Sequence, residues 1–328
     1  MLKNRYFNIA LINDTSLNRH YGCHFLMKEM NMLLKKKNFF VKKRIFNDDL
    51  NILSEVKKIK SIDIDLALVN GEGTLHGQEN HKVNEILQSV KFIKTILNKK
   101  VFLINSTIAD LDDNQLSYFQ YFDKIYVREF SSYKFLRDNN IFSQIVPDFL
   151  SITDFNINKK KIGKKIMFND SSIKNLQINL SSKQRIENHN ILYYNRVEYI
   201  LLKIYLNFKS LNFIYNYLQF IKNLKAHKFL KEILSSKFLI TGRFHAMLIC
   251  FALKVPFFAY KSISSKIEGV LKDANLESRY KTVNELNTLN YNEYVLKDDE
   301  IKKIDLYRKN SFLKIQNMFI EIKKTISE

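Results

Sequence analysis

Two stretches of this chain hold residues whose types and spacing suit anion binding and proton transfer. In Thr241-Gly242-Arg243-Phe244-His245 a guanidinium and an imidazole stand two residues apart. The guanidinium is a planar, permanently charged fork that fits phosphate or carboxylate. Imidazole is the side chain best suited to exchanging a proton near neutral pH. In Asn70-Gly71-Glu72-Gly73-Thr74-Leu75-His76-Gly77 a carboxylate and a second imidazole sit inside a glycine-rich run. Backbone can approach a ligand closely there, Glu72 or His76 offers a base, and Thr74 and His76 can both bond to oxygen. Plainer explanations stand beside these: an Arg paired with a carboxylate, a His satisfied as an ordinary polar residue, and a tight turn with solvated tips.

The flanking patterns say what positions these groups. Residues 238–240 and 256–260 read as strands around an apolar helix at 244–253, which is a βαβ unit. Arg243 and His245 are then offered at a helix N-terminus and at a strand's carboxyl end, where open α/β sheets bind ligands and anions are favoured. The apolar strand 64–69 runs straight into the glycine-rich stretch. Further strands at 6–12, 39–45, 100–105, 124–127 and 144–146 alternate with helical patterns at 23–34, 52–59, 83–97, 110–121 and 131–139. That alternation predicts one α/β domain over residues 1–155. Residues 156–165, polar and basic, read as a linker into a second α/β domain, 156–328. It opens with a strand at 165–168 and a loop at 169–172, then a helix at 184–190 and a strand at 191–194. Residues 197–234 read as two core helices, with a membrane or acceptor surface as the alternative. A helix at 262–271, a short strand near 280–282 and a long amphipathic helix at 298–326, crossing back over the first domain, complete it.

Composition bounds the rest. A formal charge of +20 in 328 residues suggests an anionic partner, but the Lys residues are scattered with Asn, Ile, Phe and Tyr, and no basic recognition helix emerges. Nucleic acid is therefore not expected; attraction to an anionic membrane face is. The two cysteines, Cys23 and Cys250, fall in different predicted domains and form no disulfide framework, which suits a reducing cytoplasm. No run of apolar residues reaches membrane-spanning length. His20 and His24 have metal-ligand spacing but no third ligand close in sequence, so no metal is expected. Only seven glycines occur, three of them at Gly71, Gly73 and Gly77, with Gly22 after the first strand. Such placement points to backbone requirements.

Two Rossmann-like α/β domains facing across a cleft, each with a polar loop at a strand's carboxyl end, describe a GT-B-like enzyme. Thr241-Gly242-Arg243-Phe244-His245-Ala246, then Lys254-Val255-Pro256, then Lys266 with Gly269, resembles the signature of polysaccharide pyruvyl transferases. Gly71-x-Gly73-Thr74-Leu75 is similar to that family's glycine-rich loop, and Val127-Arg128-Glu129 with Ser132 and Pro147-Asp148 to a further segment. The resemblance covers roughly residues 8–275. It implies transfer of a pyruvyl group from phosphoenolpyruvate to a sugar of a cell-surface polysaccharide, such as a capsule or lipopolysaccharide, or of its lipid-linked precursor. No cofactor is implied.

On that reading Arg243, with Thr241, Gly242, Arg128 and Lys266, holds the anionic donor. His245 protonates the enol carbon or the departing phosphate. Glu72 or His76 takes the proton of the attacking hydroxyl, beside Asn70, Gly71, Gly73 and Thr74 on the acceptor side. Glu72 departs from the family's run of glycines, and a carboxylate repels a doubly anionic donor unless it faces the acceptor. The same residues suit an inverting glycosyltransferase with a nucleotide-activated sugar, such as a CMP-linked acidic sugar, using Glu72 as base. A non-catalytic binding module is the third reading.

Overall fold

The computed structural model describes residues 5–49, 51–155, 157, 166–171, 186–188, 195–262, 264–288 and 295–328. The chain packs as two compact units. One holds Met1–Asn18, Leu26–Phe149 and Leu313–Glu328, the other Arg19–Phe25 and Leu150–Phe312.

In the first unit β1 (Phe7–Asp14), β2 (Phe39–Phe46), β3 (Leu66–Glu72), β4 (Lys100–Ser106), β5 (Lys124–Val127) and β6 (Gln144–Ile145) form a six-stranded sheet, ordered β2-β1-β3-β4-β5-β6. All neighbouring pairs are parallel. The helices between them are α1 (Tyr21–Lys36), whose opening turn belongs to the second unit, α2 (Ile52–Lys57), α3 (His81–Thr95), α4 (Asp113–Ser117) and α5 (Phe130–Asp138). Strand β3 is buried along its whole length, as expected of a parallel strand covered on both faces. Helix α3 shows why such a sequence becomes a packed helix. Val83, Ile86, Leu87, Val90 and Ile93 recur at helical spacing and enter the sheet's core, while Asn80 caps the start by accepting from the Lys82 N–H at 3.1 Å.

Two local expectations are corrected here. Asn70, Gly71 and Glu72 complete β3 rather than starting a turn, because pairing with β4 continues as far as Glu72 opposite Ser106. Gly71 permits this: a Cβ there would lie 2.9 Å from the Ser106 Cα and nearer still to its side chain. The helix expected over 110–121 is instead α4 followed by a 3₁₀ turn, Tyr118–Tyr121.

The second unit repeats the plan on a smaller scale. Strands β7 (Ile166–Ser171), β8 (Ile186–Asn188), β9 (Phe238–Gly242) and β10 (Phe257–Ala259) pair in parallel in the order β10-β9-β7-β8. Around them lie α6 (Arg196–Asn207), α7 (Asn212–Ser235), α8 (Phe244–Leu253), α9 (Lys266–Asp273), α10 (Val283–Thr288) and α11 (Asp298–Ser327). Helix α8 is apolar almost all round and correspondingly buried, with Met247, Leu248 and Phe251 in the core. Burial likewise pushes the Cys250 thiol up, making it an inert core group.

Residues 169–171, expected as loop, extend β7, and 186–188, expected as helix, form β8. Near Tyr280 a single bridge to Ala259 replaces the expected strand. The expected linker at 156–165, apart from Ile157, and the strand at 191–194 lie outside the described residues. Helix α11 begins in the second unit and ends in the first. Its Phe319 packs there on Phe39 and Phe149, and Glu321 accepts from Tyr126 Oη and Lys124 Nζ, each at 3.2 Å.

In the second unit the start of α11 is held by a buried ion pair. Arg279 Nε donates to Glu300 Oε1 at 2.7 Å, and its Nη2 donates to Glu300 Oε2 and to the Val295 carbonyl. Burial alone pushes the Glu300 carboxyl up, but the Arg279 hydrogen bond, the Lys297 N–H and the Arg279 charge outweigh it and hold it below its usual range. A lowered folded-state pKa contributes stability that is complete above the ordinary carboxylate range and is lost as pH falls through the lowered value. Arg279→Met, which strands this carboxylate, is expected to cost about 3–5 kcal/mol in neutral urea denaturation. The gap to wild type should narrow as pH falls; a difference that stays constant down to acid pH would show the pair is not its source.

Candidate functional site

Both sheets place their second strand on one side of the first and their third on the other. The strand order therefore reverses between β1 and β3 in one unit and between β7 and β9 in the other. In open α/β sheets ligands bind at the carboxyl ends of strands flanking such a point. The residues singled out by chemistry in the first unit lie at the first of these positions, and Arg243 and His245 follow β9 at the second.

At the end of β1 and β3 the side chains form one connected polar network. Asn13 is in the left-handed region (φ 61°), and its amide donates to the Asn70 carbonyl at 2.5 Å and to Thr74 Oγ1 at 3.1 Å. Asn70 Nδ2 donates to Glu72 Oε1 at 3.1 Å, and Asn70 Oδ1 accepts from Asn105 Nδ2 at 3.1 Å. Thr15 Oγ1 donates to the same Glu72 oxygen. Glu72 is only 5% exposed and has φ 37°, a conformation that a side chain adopts at a cost of about 1–3 kcal/mol. Such strain persists where the surroundings over-determine a position, and here two donors fix the carboxylate. Gly73, Thr74 and His76 follow, all half-buried. Gly77 takes the turn at φ 89°, and the His76 carbonyl accepts from Asn80 Nδ2 at 3.1 Å.

Arg128 is placed differently from expectation. Its guanidinium is 2% exposed, donating from Nη1 to Asp148 at 2.8 Å and from Nε to Thr107 Oγ1 at 2.7 Å. Glu129 accepts from Thr107 and Ser132, and Ser132 Oγ in turn accepts from the Ile108 N–H at 2.8 Å. The Arg-Glu…Ser…Asp pattern is thus a buried network that braces the ends of β4 and β5. Its geometry suits support rather than contact with a donor.

In the second unit Thr241 and Gly242 are buried at the end of β9, and Thr241 Oγ1 accepts the Arg243 N–H at 3.0 Å. Arg243 is the N-cap of α8, extended at φ −105°, and His245 lies in the helix's first turn; both side chains are half-buried. Lys266 opens α9, beyond the carboxyl end of β10.

Sequence reasoning missed Asn169. It sits on β7 directly opposite Thr241, wholly buried, and neither side-chain atom has a hydrogen-bond partner among the described residues. Its own carbonyl accepts from Tyr260 Oη at 2.9 Å, which fixes the backbone. This amide stands at the second strand-order reversal, one strand away from Arg243.

Gly22, which follows the first strand, answers a packing requirement. It lies in the first turn of α1 against His245, and a Cβ there would come 2.6 Å from His245 Cγ and nearer to Cβ and Nδ1. Cys23, in the same turn and buried, belongs to this unit with Cys250, and neither forms a disulfide. Because the clash reaches His245 Cβ, Gly22→Ala must shift the packing of α1 against α8 as well as the imidazole. We expect it to lower the melting temperature and to lower turnover of the folded fraction by about a hundredfold, since small misplacements cost that much at reacting centres. Unchanged turnover would remove His245 from the chemistry. His24, expected to share a face with His20, is 4% exposed and engages Asn223 Oδ1 at 2.9 Å, the role of a packed polar residue.

Comparison with known proteins bears on these features. The sequence model of polysaccharide pyruvyl transferases matches residues 1–264. No match to a curated protein was found. Among solved structures, an uncharacterized protein from Klebsiella pneumoniae subsp. pneumoniae NTUH-K2044 is similar at TM-score 0.56 and 14% identity, over 86% of this chain and 94% of that one. That likeness concerns the fold alone. A carbohydrate transporter from Acidothermus cellulolyticus 11B, in complex with myo-inositol, follows at TM-score 0.31 and 11% identity, over 94% and 88% of the two chains. The periplasmic binding protein of an arabinose ABC transporter from Shewanella sp. ANA-3 stands at 0.32 and 8%, over 94% and 97%. Scores so low carry no argument. The family match, in contrast, runs through both strand-order reversals, the Arg128 network and the Arg243–His245 turn: this chain belongs to the polysaccharide pyruvyl transferase family and is a transferase.

Proposed function

We propose that the chain transfers the pyruvyl group of phosphoenolpyruvate to a sugar of a cell-surface polysaccharide or its lipid-linked precursor. The observation that supports this reading is the second unit's strand-order reversal, where Arg243, the N-terminus of α8 and the Asn169 amide, without a hydrogen-bond partner among the described residues, lie at neighbouring strand ends. Phosphoenolpyruvate carries a phosphate and a carboxylate on one small carbon frame. A guanidinium fork, a helix N-terminus and an amide are the donors such a molecule needs.

The chemistry follows from the substrate. A sugar hydroxyl oxygen attacks the carbon bearing phosphate, the methylene carbon gains a proton to become methyl, and the C–O bond to phosphate breaks. A second hydroxyl of the same sugar closes a ketal. Two hydroxyl protons are released, one finishing on carbon and one on phosphate. On this reading His245 delivers the proton to carbon, Arg243 and Lys266 neutralise the departing phosphate, and Glu72, held by Thr15 and Asn70, receives a hydroxyl proton. His76 is the alternative base. Arg128 supports and does not touch the donor.

Ligand-induced change in melting temperature tests the donor. A ligand of the native state stabilises by about 2.7 kcal/mol at a hundredfold excess over its Kd. Phosphoenolpyruvate is expected to raise the melting temperature while CMP, UDP and GDP do not. A rise with one nucleotide alone would replace pyruvyl transfer by glycosyl transfer from that nucleotide's sugar.

A further inference from the structure

Helices α6 and α7 form a hairpin with apolar residues on two opposite sides. The inward side is ordinary core: Ile214, Leu218, Phe229 and Ile233 of α7 and Leu202 of α6 are buried, and Tyr205 packs on Tyr215 between the helices. The outward side should then be polar, and it is not. On α7, Phe213 (68% exposed), Tyr217 (46%), Phe220 (59%) and Leu224 (54%) recur at spacings of four, three and four, one continuous stripe about 16 Å long. On α6, Val197, Ile200 and Ile204 repeat the pattern, and Phe208 stands exposed at the turn. A helix apolar on both sides is normally covered on both, and a contiguous exposed patch of this kind marks an interaction surface.

Charge says what covers it. The α7 stripe continues into exposed His227, Lys228 and Lys231, and these two lysines have no ion-pair partner among the described residues. On α6 the exposed Arg196 and Lys203 border the apolar positions, Lys203 lying 5.5 Å from the Tyr199 ring centroid. Aromatic side chains ringed by cations, on a helix pair too polar to span a bilayer, match a surface that lies in the headgroup region. A second copy of a chain carrying +20 would bring like charges face to face. We propose that the α6–α7 hairpin docks this protein on an anionic lipid bilayer, with Phe213, Tyr217 and Phe220 entering the interface and Lys228 and Lys231 meeting the headgroups.

Vesicle co-sedimentation tests this without donor or acceptor, so it stands or falls separately from pyruvyl transfer. The full chain is mixed with phosphatidylcholine vesicles with or without phosphatidylglycerol, at low and high salt. Wild type is expected to bind only the phosphatidylglycerol vesicles, less at high salt. Phe213→Ser with Phe220→Ser, and separately Lys228→Glu with Lys231→Glu, should each weaken binding by about tenfold or more, with melting temperature unchanged because these side chains are exposed. Absent binding, equal binding to both vesicle types, or full binding by either folded double variant would overturn the proposal. So would a stable dimer in sedimentation velocity that the phenylalanine variant dissolves.

Discussion

His245→Ala is expected to lower turnover by about 10²–10⁴-fold while changing the apparent affinity for phosphoenolpyruvate only slightly. His245 lies in the first turn of α8, two residues after Arg243, and packs closely against Gly22. Nothing in that placement makes it a second anion clamp: Arg243 and the helix N-terminus already supply charge for the donor. Steady-state rates at varied donor concentration separate the roles. A variant that turns over normally but binds donor far more weakly would make His245 an anchor, and the proton would have to come from another group. Gly22→Ala should give a milder form of the same defect, since it moves the ring without deleting it.

Glu72→Gln is expected to cost a similar factor in transfer to the sugar, about 10²–10⁴-fold, with the fold and donor binding intact. Glutamine retains an oxygen to accept from Thr15 and Asn70, so the network that fixes residue 72 survives and only the capacity to take a proton is lost. The strained φ of 37° is common to both side chains. Measuring donor-induced stabilisation alongside the rate shows whether the loss lies in chemistry. Normal transfer by the folded variant would reduce Glu72 to a turn anchor and pass the base role to His76, for which His76→Ala is the corresponding test.

Much of the α/β alternation could be read from the sequence because the strands are apolar along their length and the helices carry clear periodicity. Arg243 and His245 were legible for the same reason: they follow an unmistakable strand and open an unmistakable helix. Strand order was not legible, since it depends on which distant segments pair, and the reversals at β1/β3 and β7/β9 emerged only from the sheets. Asn169 was hidden because Asn-Asp-Ser-Ser has the composition of a loop, yet pairing with β9 draws its first three residues into β7. Arg128 was recognised as part of a motif, but a sequence does not show whether a guanidinium faces a ligand or Asp148. Over 197–234 the sequence leaves core helices and a membrane or acceptor surface both open, because buried and exposed positions there have the same apolar character; Phe213 and Ile214 are neighbours with opposite fates.

Transfer of the donor's pyruvyl group to a sugar is tested by incubating the protein with phosphoenolpyruvate and glycan acceptors drawn from lipid-linked precursors, following acceptor mass and inorganic phosphate together. The expected result is an acceptor that gains one pyruvyl ketal for each phosphate released, and neither product with Arg243→Ala. An acceptor that gains a sugar from a nucleotide-activated donor, with phosphoenolpyruvate left untouched, would contradict it.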